Sequence, residues 1–422
     1  MAPDMGSSLT AKGCMAPGRF VSAPWVFPLV GPAVREGAVL LDAEGTILAV
    51  GPRAEIRFVY PSLPEDRAEG VLLPGLLNAH THLELSVLRG RLSGGEGLPA
   101  WAMQVGRELA GFSMEQRFDA AVRAARVARD KGTAAVGDVG NTLLAVCALA
   151  EVGLGGIFFH EMLGSRDAAT GDALADAERE RRMFLECEEW PANVAYMLAP
   201  HALYSAGPDL LRRIFAATAA CTHPTSLHVA EDQDEVALLR DGTGHWVEIL
   251  TRLQVPSGSR TPGLGPLAYL ESLGAFAGRP PLLVHMVCAS AEDLALARQH
   301  NAPVVLCPRS NLHIGGRLPD VPAFLAAGLG LALGTDSLGS APDLSLWGEI
   351  ATLASRFPDI APEIWLGAAT LGGAQALGLD ALGSLAPGKR PGIIEVRCAD
   401  DRDPARALVS DPEPAIRWLV EP

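Results

Sequence analysis

The sequence predicts an α/β fold: a (β/α)8 TIM-type barrel carrying a small β-domain assembled from both terminal segments. Three observations predict it. Eight apolar, strand-like runs alternate with Ala- and Leu-rich helical stretches between about residues 72 and 378, the pattern of a parallel sheet covered by helices rather than of an open antiparallel one. Six of the ten histidines (His80, His82, His160, His201, His228 and His285) fall at or near the C-terminal ends of those runs, where the active face of such a barrel is built. Short, turn-rich strand patterns occur at both ends of the chain.

The elements follow in order. Residues 1–19, rich in Gly, Ser, Pro and Ala, read as a flexible arm without the apolar core of a signal peptide. Residues 37–60 read as short strands around a turn at Glu44-Gly45, and LGSLAPGKRPGIIEVR (382–397) closes on another strand. Residues 20–71 and 379–422 are therefore expected to pair into one composite β-domain. The barrel runs are VLLPGLLNAHTH, TAAVGDVGN, GIFFHEML, VAYMLAPHA, TSLHVAED, PLLVHMVCA, PVVLCPRSN and LALGTDSLG. They define a catalytic unit over residues 72–378. No repeat of solenoid length appears.

Composition removes several function classes. A formal charge of −15 argues against a nucleic-acid surface, which needs clustered Lys and Arg. No apolar run is long enough to span a bilayer. Seven cysteines without a C-x-x-C pair argue against zinc ribbons and thioredoxin-like redox chemistry, and fit a reducing cytoplasm. A small-molecule substrate is the expected partner, with homo-oligomerisation left open.

The histidines carry the chemistry. His80 and His82 lie two apart on a strand, so their rings leave the same face and can grip one ion. His228 of LHVAED and Asp336 of LGTDS end the fifth and eighth runs. Three imidazoles and one carboxylate form a ligand set for one divalent metal ion, zinc or iron, with room for water. Asp336 also suits a helix N-cap.

PGLLNAHTHLE, the His of LHVAED, the His of LLVHMVCA and the Asp of LGTDS resemble the amidohydrolase superfamily across roughly residues 70–390. Many binuclear members bridge two metals with a lysine on strand four. Here that strand ends in His201, and no Lys lies between Lys131 and Lys389, so the resemblance is to the mononuclear deaminase and chlorohydrolase branch. It implies that His285 orients the attacking water. Glu231, three residues after His228, would shuttle protons; a solvated acidic helix start is the competing reading. Asp336 counts as catalytic as well as metal-binding. Substrate contacts are expected from His201, from Ser310 and Asn311 of CPRSN, and from Glu84, whose position suits ribose hydroxyls or the amine.

The segments HTHLE, HEMLGS, HALYS, VHMV and CPRSN further resemble the family of aminodeoxyfutalosine deaminases, whose substrate is an aminopurine nucleoside with a benzoate on its 5′ side. His201-Ala202-Leu203-Tyr204 departs from the usual H-x-P-Y, and Arg390-Pro391-Gly392 replaces the usual Ala-Asp. Deaminases of adenosine, S-adenosylhomocysteine or another aminated ring, and chlorohydrolases, are the alternatives. If the benzoate reading holds, one of Arg89, Arg91, Arg107, Arg166 or Arg309 is expected to bind the carboxylate.

Overall fold

The computed structural model describes residues 16–164, 172–252, 261–400 and 402–422. Five strands come first: β1 (Pro17–Val26), β2 (Val34–Asp42), β3 (Ile47–Pro52), β4 (Glu65–Arg67) and β5 (Val71–Pro74). Eight more lie in the middle of the chain: β6 (Leu76–Thr81), β7 (Thr133–Gly140), β8 (Gly155–Met162), β9 (Val194–Pro200), β10 (Ser226–Val229), β11 (Leu282–His285), β12 (Val304–Leu306) and β13 (Leu331–Leu333). Near the C-terminus are β14 (Ile393–Val396) and β15 (Ile416–Val420).

Strands from the two ends share one seven-stranded sheet, ordered β15-β14-β5-β1-β2-β3, with β4 pairing β1. The expected arm is shorter at its inner end than the sequence suggested, because Pro17 to Arg19 already belong to β1 and Arg19 pairs with Leu41. The run VLLPGLLNAHTH is likewise two strands. Val71–Pro74 pairs with β14 and β1, and the chain turns at Gly75 before β6 begins. A Cβ at Gly75 would lie 2.6 Å from the Ala134 Cβ and 2.8 Å from the Trp418 ring, so only glycine permits that crossing.

The eight central strands form two four-stranded parallel sheets, β6-β7-β8-β9 and β10-β11-β12-β13. Single parallel bridges join them at both edges, Thr81 to Asp336 and Ala202 to His228. At the first seam the His80 carbonyl accepts the amide N–H groups of Thr335 and Asp336, both at 3.0 Å. Gly334 makes this approach feasible, since a Cβ there would meet the His80 Cβ at 2.7 Å. Ala79, Val139, Ile157, Phe159, Met197, Val284, Val305 and Ala332, drawn from both sheets, pack into one buried cluster. Such interior layers are how small parallel barrels are filled.

Helices separate successive central strands. Those at 114–130 and 291–299 begin with reciprocal capping boxes, Ser113 with Gln116 and Ser290 with Asp293. Among the described residues no helix is long and apolar enough to cross a membrane.

Candidate metal and catalytic centre

His80 is the penultimate residue of β6 and His82 follows the strand, His228 sits in β10, and Asp336 follows β13. All four are buried, at 0, 7, 6 and 5 % exposure respectively. The His228 Nε2 lies 3.2 Å from the His80 Nε2 and 3.3 Å from the His82 Nε2. The Asp336 Oδ1 stands 3.6 Å from the His82 Nε2 and 3.8 Å from the His80 Nε2. Four donors bound tetrahedrally at zinc distances are about 3.3 Å apart, so the spacing suits one ion with little rearrangement.

Two of the three rings are held in the form a metal needs. The His228 Nδ1–H donates to the His201 carbonyl at 2.9 Å, and the His82 ring bonds the Val139 backbone. Their Nε2 atoms therefore carry lone pairs. Burial above all, with the crowding of neighbouring imidazoles, holds His80 well below its ordinary pKa and His82 at about 4. Three neutral imidazoles aimed at one point repel one another unless a cation lies between them. Burial alone would raise the Asp336 pKa, but His82, His285, Ser310 and His228 outweigh it, so the carboxylate stays ionised. Its Oδ2 accepts from the Ser310 hydroxyl at 2.5 Å, and its Oδ1 from the Ser337 amide at 2.8 Å.

A second group completes the centre. His285 ends β11, its ring stacked on His228 with centroids 5.4 Å apart. Its Nε2 is 3.6 Å from the Glu231 Oε2, and its Nδ1 is 2.9 Å from the Asn311 amide nitrogen. Burial, reinforced by Asp336, Asp232 and Glu235, pushes the Glu231 carboxyl well above the usual carboxylate range. Burial also takes His285 down to about 3. A carboxyl pushed toward its protonated form beside a ring pushed toward its neutral form is a pairing suited to acid–base work.

The backbone is strained where these groups emerge. Ala230, His285, Met286 and Asp336 have φ of +50, +77, +52 and +57°, a region costly for residues with a Cβ. The kinked end of β11 is tied to the end of β10 by Met286 N–H to the Val229 carbonyl and Cys288 N–H to the Ala230 carbonyl.

Other sequence expectations fare differently. His160 does not face the centre: its Nδ1 meets the Tyr196 hydroxyl at 2.9 Å and its Nε2 lies 3.4 Å from Glu180 in the helix Ala173–Cys187. Strand alternation turns the next residue, Glu161, inward instead, and the sequence reading passed over it. Only the alternation phase of GIFFHEM distinguishes the two. His201 does reach the centre, its ring 4.9 Å from that of His228. Glu84 is buried, but both its oxygens are engaged by the Asn141 and Thr142 amides, the Thr142 hydroxyl and Arg117. It anchors the loop after β7. Ser310 and Asn311 are spent on Asp336 and His285, so they brace the centre from behind.

The arginine group divides too. Arg309 is buried against Glu349 and Asp343, at 2.6 and 2.8 Å, and is not free to bind substrate. Exposed Arg107 pairs with half-buried Glu108. Arg89 and Arg91 line a separate cavity of about 550 Å³ with Phe112, Asp119 and Arg123. Arg166 lies outside the described residues.

Comparison with known proteins decides the family. The model of the Amidohydrolase family matches residues 71–412. The chain belongs to the amidohydrolase family. Among curated relatives of this amidohydrolase, the aminodeoxyfutalosine deaminase of Deinococcus radiodurans is 32% identical over 377 residues, covering 85% of this chain and 86% of that protein. A 5-methylthioadenosine/S-adenosylhomocysteine deaminase of Nitratidesulfovibrio vulgaris is 31% identical, covering 84% and 78%. The crystal structure of Helicobacter pylori aminofutalosine deaminase in complex with methylthio-coformycin superposes with a TM-score of 0.84 at 24% identity, covering 96% of this chain and 98% of that one. The amidohydrolase thus has a TIM-type α/β fold and is a hydrolase acting on carbon–nitrogen bonds. Its three-histidine cluster suits the metal dependence of the family.

Proposed function

We propose that this amidohydrolase is a mononuclear, metal-dependent deaminase of an aminopurine nucleoside, converting 6-amino-6-deoxyfutalosine and water to futalosine and ammonia, a step of menaquinone biosynthesis. The observation that carries the reading is Glu231 and His285, 3.6 Å apart, standing beside the four-donor cluster. The similarity to the Deinococcus deaminase supports the substrate.

In this reading His80, His82, His228 and Asp336 hold the ion, zinc by donor chemistry with iron as the alternative. Bound there, it supplies Lewis acidity that makes water a competent nucleophile near neutral pH. Protonated Glu231 donates to the purine ring nitrogen as water adds at C6 and takes up the proton that the water loses; it then protonates the amine, which leaves as ammonia, and recovers the C6 hydroxyl proton as the keto group forms. The His285 ring, steadied by Asn311, orients the water. His201 lies where it can meet the base. The seven-stranded sheet supports reading residues 20–71 with 379–422 as one β-domain and 72–378 as the catalytic unit. The odd number of cysteines, with no C-x-x-C pair among them, supports the cytoplasm as its compartment.

The relative from Nitratidesulfovibrio favours a second reading, deamination of 5′-methylthioadenosine or S-adenosylhomocysteine. Ammonia release from purified, metal-loaded protein distinguishes them. The first reading expects the largest kcat/KM with 6-amino-6-deoxyfutalosine. A larger value with 5′-methylthioadenosine or S-adenosylhomocysteine supports the second.

A further inference from the structure

We infer that Glu161 binds the vicinal ribose hydroxyls of the nucleoside, and so sets a preference for ribonucleosides over deoxynucleosides. This rests on the purine-nucleoside reading above and adds a specificity residue to it.

The case begins with a buried carboxylate that the metal and acid–base groups leave unused. The Glu161 side chain is 5% exposed. Its Oε2 accepts from the Asn141 side-chain amide at 3.1 Å, and the same amide holds the Glu161 carbonyl. Its Oε1 has no protein partner among the described residues. Burial, with Glu84 nearby, pushes the Glu161 carboxyl up to about 8, and ionised or protonated, a buried oxygen left so is costly without a hydrogen-bond partner. The neighbours do not. His228 comes closest, its Nδ1 3.7 Å from Oε1, but that N–H is already given to the His201 carbonyl.

Glu161, His201 and His228 do bring three ligand atoms within 4.8 Å of one another. A second ion there is disfavoured, because His228 has no lone pair left: Nδ1 carries its donated proton and Nε2 faces His80 and His82. The donor to Glu161 is therefore a substrate group bearing O–H or N–H. The reacting amine must lie over the cluster, between Glu231 and His285. The sugar hydroxyls are then the donors free to reach a carboxylate beside His201. Glu84, expected to make that contact, has both oxygens occupied. Asn141 links the two acids, its backbone N–H on Glu84 and its side chain on Glu161.

The test compares kcat/KM for adenosine with that for 2′,3′-dideoxyadenosine in the wild-type enzyme and in Glu161→Ala and Glu161→Gln. The wild type is expected to favour adenosine by roughly fivefold to a hundredfold, the range for two hydrogen bonds to a buried group. Glu161→Ala should bring the ratio to within about threefold of unity, and Glu161→Gln, which keeps an acceptor, should fall between. If Ala misfolds, Gln alone still reads the ratio. A purely structural role would lower both activities and leave the ratio as it was, which would overturn the inference while leaving the deaminase reading intact. A wild type that deaminates neither nucleoside nor 6-amino-6-deoxyfutalosine would overturn both.

Discussion

The Ser310 hydroxyl donates to the Asp336 Oδ2 over 2.5 Å, which leaves Oδ1 turned toward the imidazoles of His80 and His82. The carboxylate is thereby oriented before any ion arrives. Ser310→Ala should keep the fold and weaken metal affinity about 10–100-fold, the usual cost of losing an outer partner of a ligand. Competition with a chelator measures it. Unchanged affinity would show that the Ser337 amide and the Ser340 hydroxyl, 2.8 and 3.3 Å from the carboxylate oxygens, suffice.

Glu231→Gln should retain metal and lose about 10²–10⁴ in kcat, the share typical of a general acid–base group. Its backbone N–H still reaches Glu235, so folding should be little affected. Parallel ammonia and metal measurements decide it, and near-normal turnover would remove Glu231 from the proposed chemistry.

Arg309→Leu should destabilise the protein by about 3–5 kcal/mol, because it strands the buried Glu349 carboxylate. Burial already pushes Glu349 up to about 7 despite its partner. Denaturant unfolding gives the loss. A variant with unchanged stability but a raised KM for carboxylated nucleosides would return Arg309 to the substrate.

Glu65, far from the centre, predicts an acid-dependent term. The hydrogen bond from Arg53, opposed by burial and aided by Ser22 and Arg57, lowers its pKa from 4.5 to about 2. With the folded value below the unfolded one, the stabilisation is complete above about pH 4.5 and is lost as pH falls through about 2. The Tm difference between wild type and Glu65→Gln should thus be largest near neutrality and shrink across that window. A constant difference would mean that the ion pair is not the cause.

Much of this centre was legible in the sequence because barrel ligands sit at strand ends and strand alternation has period two. That His80, His82, His228 and Asp336 converge needed nothing more, and each of the eight apolar runs holds one of the eight central strands. What escaped depends on partners remote in sequence. Glu84 and Thr142 are 58 residues apart, and Arg309 and Glu349 are 40. No local pattern reveals that one carboxylate is taken by a loop or that one arginine is buried against a helix. His160 and Glu161 show a subtler limit. Both are polar and adjacent, and only the phase of the strand says which looks inward. The division of VLLPGLLNAHTH was hidden for a similar reason, since β5 and β6 are both apolar and Gly75 reads as an ordinary turn.

The central claim is a single ion held by four residues and used for hydrolytic deamination. Titrating metal-free protein with zinc while following ammonia release tests it most directly. Activity should rise to a plateau at one equivalent in the wild type, with His82→Ala and Asp336→Ala failing to reach it. Full activity without metal, or a plateau only at two equivalents, would contradict the account.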